Sequence, residues 1–480
     1  MFKIIGMTKL IWKLFKIVLT LLLAFLMYVV IGGVVPFLHH PDVSQTKKEA
    51  VESTQFYSDS AGPDRATIIE DNEEALKMRL RVIKDAKKTL ILSTFDFRSD
   101  DAGKDVLAAL LNAADRGVKV EIFADGFNSI IQMENNDYFY ALSSNKNIKI
   151  IIYNQVNILT PWNGLGRMHD KYVIADDSLY ILGGRNTFGY FLGDYAGHKN
   201  YDRDVLVYNT GSKDSSIYQL KDYYKKITYQ KCCSVFHNNE SLGEKDSVKK
   251  AGQELRKRYE NLENKYGKFL TEKYDYKANT YETNKINLLS NPTSLYAKQP
   301  TVYYGLMYLA KNARKEVKIH TPYIICNDYM YNELKNIKVP TTIMTNSAEN
   351  NGNIFGAVDY LSHKKDIINT GVTIKEYEGG ISYHGKSMTI DDDIAIVGSF
   401  NMDMRSAYID TELMLVINSK DINKQLKASM EEYEKKAATV KNETEYSHIP
   451  EGMKMKELSD KKKNIKAWFG WAMNGLRFLF

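Results

Sequence analysis

The chain has 480 residues, a net charge of +6 and 44% hydrophobic residues, enough for two ordinary domains or one two-lobed unit. The charge is too modest to indicate nucleic-acid binding by itself. Three cysteines, Cys232, Cys233 and Cys326, are too few for a disulfide framework. The chain has neither a metal-ligand spacing nor a G-x-x-x-x-G-K-[ST] loop, so no cofactor and no metal is predicted.

Residues 1–40 are predicted to form a membrane anchor. Lysines at positions 3, 9, 13 and 16 precede an apolar run, 17–35, of about 20 residues, which is long enough to cross a bilayer. The positive-inside tendency places the N-terminus in the cytoplasm and the remainder of the chain, including any catalytic domain, outside. A cleaved signal peptide is the alternative, but the run is long and lacks a small-x-small cleavage site. We therefore expect a single-pass protein of the cell membrane, with residues 41–64 as a polar linker.

Residues 65–235 are predicted to form a first lobe of α/β class. An acidic stretch, 71–74, precedes apolar residues at 76, 80 and 83, which indicates a capped helix with one apolar face. The other predicted elements are strands at 89–93, 118–124 and 148–153 and a helix around 105–114. Alternating helices and apolar strands predict a mixed sheet flanked by helices.

Residues 291–440 repeat this order and are predicted to form a second, similar lobe. The predicted elements are helices near 302–313 and around 359–368 and strands at 317–319, 341–345 and 372–377. The repetition predicts two lobes packed about a pseudo-twofold axis.

Two charged segments lie outside the lobes. Residues 236–290 are rich in Lys, Glu, Asn and Tyr and predict a solvated helical insert, with a lid over the site as the alternative. Residues 441–480 join a basic run to an aromatic, apolar stretch of about 15 residues, too short to span a bilayer. This tail predicts a helix lying in the interface of an anionic membrane. The alternative is a helix docked onto its own domain.

One pattern, H-x-K-x4-D, occurs once in each lobe, with a later asparagine at the same offset. The two sets are His169, Lys171, Asp176 and Asn186, and His384, Lys386, Asp391 and Asn401. Apolar residues on both sides of each aspartate predict a hairpin, so each histidine projects on the same face as its lysine. Two copies with matching offsets indicate an internal repeat.

Two such sets, brought together, form a receptor for a phosphate oxyanion. Lysine and asparagine neutralise and hydrogen-bond the oxygens on which charge builds during displacement at phosphorus. One imidazole attacks phosphorus while the other protonates the leaving oxygen. The lysines supply the positive charge, so this chemistry needs no metal.

The motifs resemble the paired HKD signatures of the phospholipase D superfamily, most closely those of bacterial cardiolipin synthases. The resemblance rests on R-M-H-D-K at 167–171, G-G-R-N at 183–186, and G-S-F-N-M-D-M-R-S at 398–406 followed by Thr411-Glu412. It covers about residues 65–440. Departures from the family pattern are Gly184 where a serine is often found, a single N-terminal span and extra loop between Gln155 and Arg167.

The resemblance implies roles for further residues. Asp176 and Asp391 orient and stabilise the motifs rather than touch substrate. Asn186, Asn401 and Ser399 bind the substrate phosphate. Asp204 and Glu412 are expected to hold the two imidazoles by their far nitrogens, with Asp202 competing with Asp204 for this role.

The function that follows is a membrane-anchored phosphatidyltransferase with a phosphohistidine intermediate and His169 as the expected nucleophile. Phosphatidylglycerol is the favoured substrate, with phosphatidylethanolamine as another donor. With water as acceptor, the same site makes phosphatidic acid as a phospholipase D. Other hypotheses are a nuclease or phosphodiesterase of the superfamily, disfavoured by the aromatic tail and the lack of a basic groove, and a non-enzymatic scaffold. The oligomeric state stays open.

Overall fold

A computed structural model describes residues 2–237 and 240–479. The helices are α1 (Phe2–Val34), α2 (Gln45–Glu52), α3 (Asn72–Asp85), α4 (Asp101–Asp115), α5 (Gly126–Gln132), α6 (Asp137–Ser143), α7 (Ile217–Thr228), α8 (Glu240–Gly243), α9 (Asp246–Tyr266), α10 (Lys268–Thr271), α11 (Thr301–Lys311), α12 (Asp328–Lys335), α13 (Ile354–Ile368), α14 (Met404–Tyr408), α15 (Lys420–Glu434) and α16 (Asp460–Met473).

The strands of the first half are β1 (Asp64–Ile69), β2 (Thr89–Thr94), β3 (Lys119–Asp125), β4 (Ile148–Tyr153), β5 (Tyr172–Ala175), β6 (Leu179–Gly183), β7 (Asn200–Tyr201), β8 (Asp204–Asn209), β9 (Cys233–Val235) and β10 (Tyr281–Glu282). Those of the second half are β11 (Lys285–Ser290), β12 (Val317–His320), β13 (Ile324–Ile325), β14 (Thr341–Asn346), β15 (Thr373–Tyr377), β16 (Ser382–Tyr383), β17 (Ser387–Ile390), β18 (Ile394–Gly398), β19 (Met402–Asp403), β20 (Leu413–Asn418), β21 (Ala437–Val440) and β22 (Tyr446–His448).

Two mixed sheets of nine strands have the same internal order. The first runs β10-β1-β8-β6-β5-β2-β3-β4-β9 and the second runs β11-β20-β18-β17-β12-β14-β15-β21-β22. Each has three neighbouring parallel strands, β2, β3 and β4 or β12, β14 and β15, joined to antiparallel ones. The prediction of two similar α/β lobes, each a mixed sheet flanked by helices, is confirmed.

An apolar layer joins the lobes. It combines side chains of β1, β6 and β8 with side chains of β18 and β20, and helices α7 and α15 border it. The two helices make equivalent contacts across the seam. Gln425 of α15 accepts the backbone N–H of Ile68, and Gln219 of α7 accepts that of Leu288. These matched contacts support the pseudo-twofold relation and bring both hairpins to one seam.

The N-terminal helix has the properties predicted for a membrane span. Within the described residues, one helical stretch, Leu10–Phe37, is long and apolar enough to cross a bilayer, with a mean hydropathy of 2.7. Most of its large apolar side chains are more than half exposed, such as Leu21 at 64% and Val18 at 63%. An exposed apolar surface of this size is unusual for a protein surrounded by water.

The segment 41–64 is not the free linker that was predicted. Val43, Val51 and Phe56 are buried in the apolar core of the second lobe, and Glu52 of α2 accepts a hydrogen bond from Tyr304. Burial of these apolar side chains against α11 ties the segment to that lobe.

The insert also packs against a lobe, which argues against the lid interpretation. Helix α9 is amphipathic and buries Val248, Leu255 and Tyr259 against α4 and α6 of the first lobe. At its outer side Arg258 forms an ion pair with the buried Asp105. The insert ends before the predicted boundary at 290, because β11 already belongs to the second sheet.

The C-terminal tail is docked onto the second lobe over much of its length. Lys462 donates to the backbone carbonyls of Ala348, Glu349 and Asn351, and Phe478 is buried in the second core. The prediction extended to Phe480, which lies outside the described residues, as do the side chains of 469–473. The docked alternative therefore describes this segment better than a free interfacial helix.

Candidate active site

Each motif occupies a β-hairpin at the seam, β5–β6 in the first lobe and β17–β18 in the second. Asp176 and Asp391 lie in the hairpin turns with φ of 55° and 50°, a region that Asp tolerates better than most residues. Asp176 accepts backbone N–H groups of residues 87–89, and Asp391 accepts those of residues 314–316. Each carboxylate therefore fixes its hairpin to the start of the neighbouring strand in the sheet, β2 or β12. This contact lies at the end of the hairpin opposite the histidine.

His169 is held by a carboxylate of the other lobe. Its Nδ1 lies 2.8 Å from Oε1 of Glu412, and its backbone N–H donates to Oγ1 of Thr411. A parallel bridge between Met168 and Thr411 aligns the two segments. Glu412 was the expected partner, and the structure places it in contact with the ring.

His384 is held in the same way from the first lobe. Its Nδ1 lies 2.6 Å from Oδ2 of Asp202, and its backbone N–H donates to the carbonyl of Tyr201. Strands β7 and β16 pair in parallel just before these residues. Each histidine thus takes its acid from the opposite lobe, so the site is complete only when the lobes are packed together.

Asp204 does not hold an imidazole, contrary to the prediction. Its Oδ2 accepts from Arg79 and Arg185 at 2.9 and 3.1 Å, and the residue is fully buried. Asp204 is the first residue of β8 and points with its strand into the first lobe. Asp202, two residues earlier, precedes the strand and reaches across the seam.

Sheet register would have identified Asp202. The glycine that ends β6 pairs with Asp204, and the glycine that ends β18 pairs with Met414. Asp202 and Glu412 each lie two residues before that partner, so they occupy equivalent positions. Spacing from the motif alone hides this equivalence, because the first lobe has a longer connection before its strand.

Both lysines are buried next to the histidines. Lys171 and Lys386 are 2% and 1% exposed, and each donates to the backbone carbonyl of the histidine two residues before it. Nζ of Lys386 also lies 2.5 Å from Nδ1 of His384 and 3.5 Å from Oδ2 of Asp202. The two ammonium groups are close enough to repel each other, and each also opposes protonation of the other lobe's histidine.

The site lowers the pKa of its cations. Burial, opposed in part by Glu412, lowers the pKa of Lys171 to about 7, and burial also lowers the pKa of Lys386. Burial and then Lys386 lower the pKa of His384 to about 4, and burial and then Lys171 lower that of His169. Without a bound anion both imidazoles are therefore neutral near pH 7, because burial and the lysines outweigh the nearby carboxylates.

The two carboxylates differ in charge state. Burial raises the pKa of Glu412 to about 8, although Lys171 and the hydroxyls of Ser399 and Ser406 oppose the rise. Burial also acts to raise the pKa of Asp202, but Lys386 and His384 outweigh it and leave that pKa below its usual range. Asp202 is consequently ionised at neutral pH, whereas the Glu412 carboxyl is largely protonated.

The hydroxyl of Ser399, predicted to bind the substrate phosphate, is bonded to Glu412 in this structure. Ser399 is fully buried, donates to Oε2 of Glu412 at 2.5 Å and accepts from the backbone N–H of Leu413. Its first-lobe counterpart is Gly184, where a Cβ atom would lie 2.2 Å from Oδ1 of Asp202. The carboxylate of Asp202 therefore fills the space that a serine side chain would need.

The two asparagines are mostly buried beside the motifs. Oδ1 of Asn186 accepts from the backbone N–H of Asp96 at 3.3 Å. Oδ1 of Asn401 is buried and has no hydrogen-bond partner among the described residues. Two aromatic rings complete the walls: Phe95 lies 5.2 Å from the ring of His169, and Phe191 lies 5.1 Å from that of His384.

This arrangement, two lobes with one HKD hairpin each and the histidines at the seam, is that of a phospholipase D-like protein. Residues 80–226 and 306–433, more than half of the chain, match the family described as cardiolipin synthase, PLD-like domain. The chain belongs to this family, and the resemblance read from its motifs is confirmed.

Individual relatives agree with this assignment. The chain is 25% identical over 409 residues to an uncharacterized protein of Helicobacter pylori, covering 77% of this chain and 79% of that protein. It is 26% identical over 397 residues to cardiolipin synthase 1 of Staphylococcus aureus, covering 81% and 70%. The crystal structure of phosphatidylserine synthase from Haemophilus influenzae superposes with a TM-score of 0.62 over 90% of this chain and all of that one. At 13% identity this last likeness concerns the fold alone.

Proposed function

We propose that the protein is a membrane-anchored phosphatidyltransferase of the cardiolipin synthase type. The observation that carries the proposal is the exchange of acids between lobes, which aims two neutral imidazoles and two lysines at one seam. A phosphodiester is the substrate class that such a site fits, because its single negative charge is offset by the ammonium groups. The family and the similarity to cardiolipin synthase 1 of Staphylococcus aureus support a phospholipid as the molecule that carries this phosphodiester.

The proposed reaction has two displacements at phosphorus. His384 takes up a proton from solvent as the anionic phosphodiester binds. Nε2 of His169 then attacks phosphorus while His384 gives this proton to the departing alcohol oxygen, which leaves a phosphatidyl group bound to His169. The incoming alcohol then loses its proton to His384 as its oxygen attacks, and the P–N bond breaks. Both histidines return to their starting protonation states, so the cycle is balanced without another reactant.

The difference between the two acids supports His169 as nucleophile. A nucleophilic ring must be neutral. Because Glu412 is largely protonated, it contributes little negative charge that would stabilise an imidazolium at His169. A general acid must hold one, and the ionised Asp202 stabilises an imidazolium at His384 once the anionic phosphodiester has bound. Lys171 and Lys386 lie beside both rings and neutralise the oxygens of the transition state. The side-chain amides of Asn186 and Asn401, which lie beside the motifs, are proposed to donate hydrogen bonds to these oxygens.

Phosphatidylglycerol is the proposed substrate, both as donor and as acceptor, with cardiolipin as product. Phosphatidylethanolamine is a second donor to test. Anchoring by α1 in the cell membrane would supply these lipids directly, with the N-terminus in the cytoplasm. The aromatic walls formed by the half-buried Phe95 and the buried Phe191 favour a dry site, which favours transfer to an alcohol over hydrolysis.

Product analysis tests this function. The full chain in vesicles containing labelled phosphatidylglycerol should form cardiolipin and glycerol, and the His169→Ala, His384→Ala double variant should form neither. His237→Ala, at an exposed histidine outside the site, is the matched control and should retain activity. Accumulation of phosphatidic acid instead of cardiolipin would assign the hydrolase. Turnover of single-stranded DNA without turnover of lipid would reject the proposal in favour of a nuclease.

A further inference from the structure

An exposed apolar surface lies on the first lobe, outside the active site. It consists of three side chains of α5 and three of the loop between β4 and β5, and all six are between 36% and 64% exposed. These residues, called the first-lobe apolar patch below, are Phe127, Ile130, Ile131, Ile158, Leu159 and Trp162. In α5 they occupy positions i, i+3 and i+4, which is one face of a helix.

The helix and the loop begin side by side. A Cβ atom at Gly126, the first residue of α5, would lie 2.3 Å from the carbonyl oxygen of Asn154, where the loop begins. The side-chain amide of Asn154 donates to the carbonyls of Asn163 and Gly166, which closes the base of the loop. The backbone that carries the exposed residues of the loop is therefore fixed by hydrogen bonds at its base.

The patch contacts the N-terminal helix well inside its apolar stretch. The hydroxyl of Tyr28 donates to the carbonyl of Leu159 at 2.8 Å, and its ring meets the edge of Trp162 with centroids 6.4 Å apart. Gly32 packs closely on Pro161, since a Cβ atom there would lie 2.7 Å from the proline ring. These contacts join the loop to the last turns of α1.

The position of Tyr28 along α1 sets the depth of the patch. Tyr28 lies nine residues before Phe37, the end of the apolar stretch. At a rise of about 1.5 Å per residue this corresponds to about 13 Å along the helix axis. If α1 crosses a bilayer, a residue in contact with Tyr28 lies below the polar surface of that bilayer. The loop exposes Ile158, Leu159 and Trp162 there, beside the polar Gln155 and Asn157.

We propose that the first-lobe apolar patch inserts into the outer leaflet of the membrane that α1 crosses. The occupant is the acyl-chain region of that leaflet, because the patch is continuous with the membrane helix itself. The proposal rests on the membrane anchoring proposed above and adds the orientation of the catalytic lobes.

Insertion at this place has a consequence for substrate access. The same loop continues directly into Arg167, Met168 and His169, and Arg405 of the second lobe binds its last turn through the carbonyl of Leu165. The membrane contact and the proposed nucleophile therefore lie on one short segment. The seam between the lobes is held near the level of the lipid phosphates, and a phospholipid reaches it without leaving the bilayer entirely.

The C-terminal tail offers a competing surface. Trp468 of α16 is 76% exposed, but Phe478 is buried and Arg477 forms an ion pair with Asp359, so this segment is bound to the second lobe. The two surfaces are distinguished by measuring which tryptophan contacts lipid.

Single-tryptophan variants of the full chain provide the test. The chain has four tryptophans, Trp12, Trp162, Trp468 and Trp471. One variant retains Trp162 and has phenylalanine at the other three positions, and a second retains Trp12 to report on α1. A third has no native tryptophan and carries Tyr281→Trp on β10, at the sheet edge opposite β4 and β9. Each is reconstituted into phosphatidylglycerol and phosphatidylethanolamine vesicles with brominated acyl chains.

The proposal expects at least about a twofold loss of Trp162 emission in brominated vesicles relative to unbrominated ones, as for Trp12. The tryptophan at position 281 should be unaffected. Emission of Trp162 that is insensitive to bromine overturns the proposal. If it is also insensitive to aqueous iodide, the patch is covered by protein, such as a second copy of the chain. An unquenched Trp12 overturns the proposal as well, because it removes the anchor on which the depth depends.

An activity measurement gives independent support. The double variant Ile131→Glu, Ile158→Glu changes two exposed residues and should raise KM for phospholipid in vesicles at least about tenfold by opposing insertion. Its kcat/KM for a short-chain phospholipid dissolved below its micelle concentration should match the parent protein. Equal loss on both substrates would mean that the patch supports the fold instead. Because quenching reports location and not turnover, failure of the proposed enzymatic function leaves that test intact.

Discussion

The two half-sites of this protein share a fold but differ in their acids. At His169 the acid is a glutamate whose carboxyl is raised in pKa to about 8 and held by two serine hydroxyls. At His384 it is an aspartate, ionised and 3.5 Å from Lys386, with a glycine where the other half has Ser399. Glu412 reaches His169 and leaves room for the hydroxyl of Ser399 beside it. Asp202 reaches His384 only by occupying the space that a side chain at position 184 would need. Both imidazoles are neutral in the unliganded site, but only His384 faces an ionised carboxylate, which can stabilise an imidazolium once an anion has bound.

The largest expected effect separates the histidines themselves. His169→Ala should lower turnover by at least about 10⁴-fold for every substrate, since no other group forms the covalent bond. His384→Ala should be equally poor with phosphatidylglycerol, but a phosphodiester with a p-nitrophenolate leaving group needs no proton and should still label the protein. Mass spectrometry of the quenched protein measures the adduct. A labelled His169→Ala variant would reverse the assignment of the nucleophile.

The second effect compares the acids. Asp202→Asn removes an ionised partner and should lower kcat by about 10²-fold or more. Glu412→Gln replaces a carboxyl that is already largely neutral and should cost about tenfold or less, comparable with an altered hydrogen bond. Both act by positioning a histidine, so the pH profile of kcat is the informative measurement. We expect Asp202→Asn to shift the alkaline limb of this profile to lower pH, because the proton on His384 is held less firmly. Equal losses with unshifted profiles would contradict the distinction.

A third change makes the first half resemble the second. Gly184→Ala places a Cβ atom against Oδ1 of Asp202 and should displace the carboxylate from His384. We expect about a tenfold loss of activity and a destabilisation of about 1–3 kcal/mol, as for other overpacked buried sites. Thermal unfolding and kinetics measure the two parts. In the double variant Gly184→Ala, Asp202→Ala the further loss from Gly184→Ala should disappear, and persistence of that loss would argue against this contact.

The smallest effect concerns Lys171. Its pKa of about 7 means that its ammonium form, which binds anions, is lost as pH rises from 6 to 8. Ionisation of Glu412 at about pH 8 acts in the same direction. Sulfate stays a dianion across this range, so its affinity should fall several-fold over these two pH units. In Lys171→Arg the fall should be weaker, because arginine stays charged. Calorimetric titration at three pH values measures it, and an equal slope in both proteins would exclude Lys171 as the cause.

Much of the fold followed from local patterns. Apolar residues on both sides of Asp176 and Asp391 predicted the two hairpins, and the acidic stretch before Leu76 predicted α3, whose N-cap is Asp71. Local pattern failed where the partner was distant. Residues 41–64 are polar in composition, yet three of their apolar side chains are buried in the core of the second lobe. These are Val43, Val51 and Phe56. Asp204 and Asp202 differ by two positions, and only the strand that begins at Asp204 decides which of them crosses the seam.

The sequence by itself determined the repeat, the strands that carry it, the apolar N-terminal helix and the family. These depend on short-range periodicity and on residue spacing within one hairpin. Only the tertiary structure decided the partners of the two histidines, because Glu412 lies 243 residues from His169 and Asp202 lies 182 residues from His384. It also decided which loop lies against the apolar N-terminal helix. Contacts across such separations depend on how the two sheets pack, and no local pattern records that packing.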